Sequence, residues 1–455
     1  MKLKITNFFA LVLALASVTL SAQNVTTASI NGRVVSQSGQ EVNDAKVVVV
    51  HQPTGSRYTA MTDNSGRYAI DGLRIGGPYT IDVTSGTGNE ELGGIYLSLG
   101  QSLRLNVTVG MKNTTLGEVE IVATKNEILN SQRTGAATNV KVEALNTLPT
   151  FSRSLNDFTR LTPQSRPSSV ASTAGSGVSF AGADSRFNNL TIDGSIFNNS
   201  FGLASGPGGQ TNSSPISLDA IEEVQVNIAP YDVRQGGFTG AGINAITRSG
   251  GNEVSASVFY NTRNQNFRGD TVTYLDKDGV KTGSGLKIND FAVNQFGFRV
   301  GGPIKKDKIF FFLNAEGERR IDPATLFTAN NNDGTTDLNE TRVLRSDLED
   351  VRNLLINKFN YNPGAFENYS NETYSDKILA KFDFNLNDKN KAWIRVNYLK
   401  SYRDVLSSNS GVVSGNRNGT LDALNFQGTN YVINNNIFST IGELNTRVSN
   451  KLSNQ

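Results

Sequence analysis

Residues 240–245 read Gly-Ala-Gly-Ile-Asn-Ala, which satisfies the G-x-G-x-x-A spacing that brings a backbone turn against a pyrophosphate. That chemistry also needs a helix, whose first free N–H groups hold the phosphate oxygens. Here the run continues as the alternation Ile243, Ala245, Thr247, and Ser249-Gly250-Gly251 ends it within a turn. A strand is expected, and a dinucleotide site is not. A second candidate lies at 329–340, where Asn331, Asp333, Gly334, Asp337 and Glu340 fall on positions three, five, six, nine and twelve of an EF-hand calcium loop. Ala329 stands at position one and deletes the leading ligand, so a polar loop is preferred over a calcium site.

Other chemistries lack their residues. The chain has no cysteine and one histidine, His51. Thiolate catalysis, disulfides, cysteine-ligated metals and Ser-His-Asp triads are therefore excluded or very hard to build. His51 follows the apolar run Val47–Val50 and is expected to be a satisfied strand-end side chain. No carboxylates cluster in a recognisable motif, so neither an enzyme nor a resident cofactor is expected. With 43 basic against 41 acidic side chains, no global field attracts nucleic acid.

The elements around these candidates are mostly strands. Forty-four glycines against eleven prolines, with abundant Asn, Ser and Thr, fit a turn-rich β protein. Residues 1–22 carry Lys2 and Lys4, an apolar run from Phe8 to Val18 and small residues before Ala22, the pattern of a secretory signal peptide. No later stretch reaches the roughly 20 apolar residues of a membrane helix, which leaves a barrel as the only spanning solution. Residues 23–112 predict a small β-sandwich, with a hairpin around Asp63-Asn64-Ser65-Gly66. Glu118, Val119, Glu120, Ile121, Val122, Ala123 and Thr124 form a short β-prone run inside segment 113–125. It reads equally as a buried strand or as a segment free to join another protein's sheet edge. Residues 126–250 are mixed: two short helices, the second capped by Ser152 or Ser154, a strand entering the Asp193-Gly194 turn, and a polar loop around 198–214.

From 251 to 455 the texture changes to alternating segments of about ten residues. Ile378, Ala380, Phe382, Phe384 and Leu386 alternate with Lys377, Lys381, Asp383 and Asn385; Ala392, Ile394, Val396 and Tyr398 alternate with Arg395 and Asn397. Such strands need water on one face and apolar surroundings on the other, which a barrel with a wet lumen or a soluble sandwich supplies. Short connections, as at "GGPIKKDK" and "NLNDKNK", alternate with a long insert at 320–373 that holds the helical patch "DLEDVRNLLINKF". That alternation is the habit of outer-membrane barrels.

The chain resembles the TonB-dependent outer-membrane receptors of the Bacteroidetes type, Oar-like group. "INGRVVSQSGQEVNDAKVVV" and "TDNSGRYAIDGL" are similar to a carboxypeptidase-regulatory-like domain, and "GEVEIVAT" to the TonB box or the run after it. Leu190, Ile192, Asp193 and Gly194 of "LTIDG", with Gly237, Gly240, Gly242 and Thr247 of the closing segment, resemble the plug signature. "RVGGPIKKDKIFFFLNAEGER" resembles an early barrel hairpin of the Oar-like group.

The resemblance implies a mainly β protein: a front sandwich, a mixed α+β plug and the first part of a transmembrane antiparallel barrel. It implies uptake of an extracellular ligand through the plugged barrel, with the TonB–ExbB–ExbD complex engaging 118–124. Outer-membrane lipid would surround the barrel, and a surface lipoprotein partner is compatible. Siderophore, glycan and peptide receptors share this frame, so the ligand is not legible. A barrel of 22 strands at about ten residues each needs more than the roughly 205 residues after position 250. The chain is therefore expected to be an N-terminal fragment that does not close a barrel. The competing reading is a surface binding or adhesion protein without transport, which has no reason to carry the segments at 190–194 and 224–250.

Overall fold

The computed structural model describes residues 25–110, 137–150, 153–167, 177–198, 209, 211–230, 235–267, 271–275, 281–285, 290–334, 340–407, 420–449 and 452–454. The expected signal peptide and the run 118–124 lie outside the described residues, as do Ser152, Asp337 and most of the loop at 198–214.

Eight strands build the front domain: β1 (Ala28–Ser36), β2 (Lys46–His51), β3 (Ser56–Met61), β4 (Arg67–Leu73), β5 (Gly76–Ser85), β6 (Gly88–Leu97), β7 (Ser102–Arg104) and β8 (Val107–Val109). One sheet runs β4-β1-β7, with β8 also on β1, and the other β3-β2-β5-β6. Alternate residues such as Val47, Val49, Ile81 and Val83 point into the shared core, as period-two strands dictate. The Asp63–Gly66 turn closes as expected, with the Asp63 carboxylate accepting the Ser65 and Arg67 N–H groups, each at 2.9 Å. Its arms do not pair as a hairpin, however. β3 pairs with β2 and β4 with β1, because the tight connection through Gly55 (φ 59°) already folds β3 back on β2. The turn therefore carries the chain from one sheet to the other. Strand β6 was not expected, since Glu90, Glu91 and the Gly93-Gly94 pair obscure its alternation.

His51 is buried, with Nδ1 2.7 Å from the Thr54 hydroxyl and its ring 4.8 Å from that of Tyr79. Burial, then the charge of Arg74, lowers its pKa to about 3. A base whose folded pKa is depressed gives stability that is complete above about 6.5 and lost as pH falls toward 3. His51 is the sole histidine, so its imidazole resonances need no assignment. They are expected to stay neutral at pH 5; a titration midpoint near 6.5 would place His51 in solvent.

The middle domain comprises β9 (Ala137–Lys141), α1 (Val142–Thr147), α2 (Leu155–Thr159), β10 (Ser165–Pro167), β11 (Val178–Phe180), β12 (Asn189–Ile192), β13 (Ser195–Ile196), β14 (Ile221–Asn227) and β15 (Gly242–Thr247). Ser154 caps α2, accepting the Asn156 N–H at 3.3 Å while Asp157 accepts the Ser154 N–H at 3.4 Å, a capping box. Five strands form one sheet in the order β13-β12-β15-β14-β9. β15 sits at its centre, parallel to β12 and antiparallel to β14, and Ile243 through Thr247 are all buried. The Gly-x-Gly run thus opens a central strand, and no helix comes after it.

The third region holds β16 (Ser255–Asn264), β17 (Thr271–Leu275), β18 (Lys281–Gly285), β19 (Ala292–Lys305), β20 (Ile309–Pro323), β21 (Thr328–Asn330), β22 (Glu340–Leu344), α3 (Arg345–Phe359), β23 (Ser370–Asn385), β24 (Asn390–Val405), β25 (Tyr431–Ser449) and β26 (Leu452–Asn454). A seven-stranded antiparallel sheet runs β16-β19-β20-β23-β24-β25-β26, and its two edge strands do not meet. Several strands are longer than the ten residues expected, β25 reaching 19. They continue past the apolar segment into polar residues that still pair. The two faces are inverted relative to a water-soluble sandwich. Lys377, Lys381, Asp383 and Arg395 are buried, whereas Ile378, Tyr398 and Phe438 are exposed. The polar face is not bathed in water, as the alternation suggested, but packs on the middle domain; Phe312 and Leu379 join that domain's core.

Candidate functional site

The most concentrated set of buried charges lies where the β12–β13 turn meets the large sheet. Asp193 (φ 47°) and Gly194 (φ 81°) both adopt left-handed backbone, the two-residue type I′ geometry that Asp-Gly favours. This turn aims the Asp193 carboxylate back at the end of β15. Oδ1 accepts the Thr247 N–H at 2.8 Å and Oδ2 the Thr247 hydroxyl at 2.6 Å. From the large sheet, Arg395 Nη1 donates to Asp193 Oδ2 and to the Ile192 carbonyl, each at 3.0 Å. Lys381 Nζ donates to the carbonyl and hydroxyl oxygens of Thr247, each at 3.1 Å. Arg395 is 0% and Asp193 2% exposed. Burial alone would push the Asp193 carboxyl up; Lys381, Arg395 and the Thr247 donors outweigh it and hold the group below the usual carboxylate range.

A second contact lies one strand away. Lys377 Nζ is 2.6 Å from Glu316 Oε1, and Glu316 Oε2 accepts the Ser217 hydroxyl of the middle domain at 2.6 Å. On the same side, the Arg153 guanidinium lies 4.0 Å from the centre of the Phe259 ring.

The front domain meets both other regions at the rim of short connections, residues 306–308 and 386–389. Arg74 Nη1 is 2.7 Å from Asp383 Oδ1, and Ser56 Oγ donates to Asn385 Oδ1 at 2.9 Å. Burial pulls the Arg74 pKa down, but Asp383 outweighs it and the net shift is upward. Toward the middle domain, the Leu99 N–H donates to both Glu223 oxygens at 3.1 and 3.2 Å, and Gln225 Nε2 to the Leu99 carbonyl at 2.8 Å. Burial pushes the Glu223 carboxyl up to about 8, with the Leu99 N–H and Lys141 pulling against it.

The residues singled out in the sequence fall into separate groups. Asp193, Thr247 and the Ile192 carbonyl come together at this site, with Gly194 in the turn, while Leu190 and the Ile192 side chain lie in the middle domain's apolar core. Gly240 packs close: a Cβ there would lie 2.2 Å from Asn188 Oδ1. Gly242 faces the Phe238 ring, and Gly237 (φ 78°) serves a turn away from the charges. Of the EF-hand positions, the Glu340 carboxylate accepts the Asn331 N–H at 3.1 Å, and Asp337 lies outside the described residues. Sequence reasoning marked Lys377, Lys381, Asp383 and Arg395 only as a polar face. Glu223 and Glu316 went unmarked; Glu316 shares its strand with Glu318 and Asp322, and nothing local sets it apart.

Residues 29–110 match the carboxypeptidase regulatory-like domain, 130–243 the TonB-dependent receptor plug domain and 246–455 an outer membrane beta barrel domain. The plug match, the barrel match and the similarity to a TonB-dependent transporter together support a TonB-dependent receptor. The middle domain is accordingly the plug, and the large sheet is part of an outer-membrane barrel wall. The chain is 29% identical over 307 residues to the TonB-dependent transporter Oar of Myxococcus xanthus, which covers 64% of this chain and 27% of that protein. The chain thus spans about a quarter of that relative's length. Among solved structures, the outer membrane transporter YddB from Escherichia coli aligns over 69% of this chain and 37% of its own, with a TM-score of 0.45 and 16% identity. The siderophore receptor PirA from Acinetobacter baumannii aligns over 68% and 45%, with a TM-score of 0.38 and 16% identity. No described helix is long and apolar enough to cross a membrane, which says nothing against strands.

Proposed function

We propose that this chain is the entry portion of a TonB-dependent outer-membrane transporter, which binds an extracellular ligand and admits it to the periplasm when TonB, driven by ExbB–ExbD, displaces the plug. The observation that carries this reading is the Asp193 cluster. A plug that must block the lumen at rest and yield to a pull needs anchors that are strong, few and polar. Charge-assisted hydrogen bonds are stronger than neutral ones and geometrically specific, so a few of them suffice to fix the plug in place. The outward row of apolar side chains would face outer-membrane lipid. The chain would divide into a signal peptide at 1–22, a front domain at 23–112, a TonB-contact segment at 113–125, the plug at 126–250 and the wall from 251. Co-purification from outer membranes tests for a surface lipoprotein partner, which this reading admits but does not require.

Residues 118–124 are the proposed TonB contact, by addition of a strand to a TonB sheet edge. Deleting them in the intact receptor is expected to abolish energised uptake while binding at the cell surface persists. Unchanged uptake would move the contact elsewhere. Recovery of the intact gene product in a soluble extracellular fraction would overturn the transporter reading.

A further inference from the structure

Between the front domain, the plug and the barrel wall lies a cavity of about 570 Å³, bordered by Tyr58 and Arg74 of the front domain, Glu222 and Ser249 of the plug, and Asp383 and Trp393 of the wall. That volume is within the range of small-molecule sites, roughly 300–1,000 Å³. A solute leaving the plug on the short-turn side would enter this chamber, and the front domain covers its far side. Resting on the transport reading, we propose that the front domain is a second closure in series with the plug, and that passage to the periplasm requires it to swing off the barrel rim.

The chemistry of the contact fits a detachable cover. The front domain's main core contains only its own residues, and the plug's core contains plug and wall residues. A single cluster of three, Ile75, Leu99 and Ile246, bridges front domain and plug. Most of the other described contacts across the boundary are polar, among them Arg74 to Asp383, Ser56 to Asn385, Thr26 to Glu443, Leu99 to Glu223, and the Val25 carbonyl accepting from Asn244 at 2.8 Å. Small, polar interfaces within a chain permit relative domain motion, whereas large apolar ones do not. Asp383 concentrates the coupling, because its Oδ1 faces both Arg74 and the Ser249 hydroxyl where the plug hands over to the wall. Breaking that ion pair therefore removes one of the contacts that hold the cover against the wall, others being Ser56 to Asn385 and Thr26 to Glu443.

The test uses the absence of native cysteine. Glu222→Cys, in the detergent-solubilised receptor with any cysteine outside these 455 residues replaced by serine, places a single thiol on the chamber wall. A small maleimide is expected to label it, and a polyethylene-glycol maleimide to react roughly tenfold more slowly or worse, tenfold corresponding to about 1.4 kcal/mol of opening. Adding Arg74→Glu, which sets two carboxylates face to face, is expected to remove that discrimination. The charge swap Arg74→Asp with Asp383→Arg should restore it and guards against simple misfolding. Separately, Ser56→Cys with Asn385→Cys should form a disulfide under mild oxidation. Equal labelling by both reagents in the parent, discrimination that survives Arg74→Glu, or failure of the disulfide would overturn the proposal. The labelling needs neither TonB nor a transported solute. A protected thiol in a receptor without TonB-dependent uptake would count against transport and not against the cover.

Discussion

Asp193→Asn is expected to loosen the plug by about 3–5 kcal/mol, the usual cost of leaving one member of a buried ion pair uncompensated. The substitution isolates charge from shape. Asparagine tolerates the left-handed backbone (φ 47°) that Asp193 adopts, so the turn should survive. What is lost is the counter-charge to Arg395, which is fully buried and otherwise reaches the Ile192 carbonyl, the Ser439 hydroxyl at 3.4 Å and the face of the Phe197 ring, 5.6 Å from its centre. The Thr247 N–H also exchanges a charged acceptor for a neutral one. Two readouts report on it. Amide exchange at Thr247 and along β12 should accelerate, and the sole tryptophan, Trp393, whose ring lies 5.0 Å from Lys381 Nζ, should change its fluorescence. Adding Arg395→Gln should recover part of the loss, because the stranded charge goes with it. Unaltered exchange in the single variant would show that the cluster does not hold the plug.

The second large effect belongs to Glu316. Glu316→Ala leaves the Lys377 ammonium, 4% exposed, without its carboxylate and removes the acceptor of the Ser217 hydroxyl. A loss of about 3–5 kcal/mol is again expected. The double replacement Glu316→Leu with Lys377→Met should come close to neutral for the wall, since apolar pairs of similar volume often match buried ion pairs. It should nevertheless leave the plug looser, because Ser217 still has no partner. A thermal unfolding series in detergent separates these outcomes. If the double variant is as damaged as Glu316→Ala, the stranded ammonium is not the cause.

How much of this could be read beforehand depends on the range of the interaction. The Asp193-Gly194 turn, the Ser154 cap and the helix at 345–359 are local, and neighbouring residues decide them. The strict alternation of 377–386 located two faces because period two is intrinsic to a strand. What covers each face is decided by residues hundreds of positions away. The sequence around Arg395 holds nothing that names Asp193, 202 positions earlier, as its partner. The same limit explains the Asp63–Gly66 turn: its bonds are local and were legible, while the choice between pairing its arms and sending them to opposite sheets depended on β1 and β2. The glycine run at 240–245 was resolved by residues 246–251, since alternation and an early stop exclude a helix.

The position of β15 has a consequence for the order in which the protein can be made. It is the last plug strand in the chain and the central strand of the plug sheet, pairing Thr191 with Asn244 across more than fifty residues. Until it arrives, β12 and β14 have no common neighbour, and the sheet exists only as two unjoined pairs, β12 with β13 and β14 with β9. Contacts of such long separation are slow to form, because loop closure must precede any gain. Residue 247 is also only eight positions from the first wall strand. Completion of the plug and initiation of the wall therefore fall at the same moment of secretion, and a chain halted before residue 242 would present open sheet edges to whatever chaperones guard the periplasm.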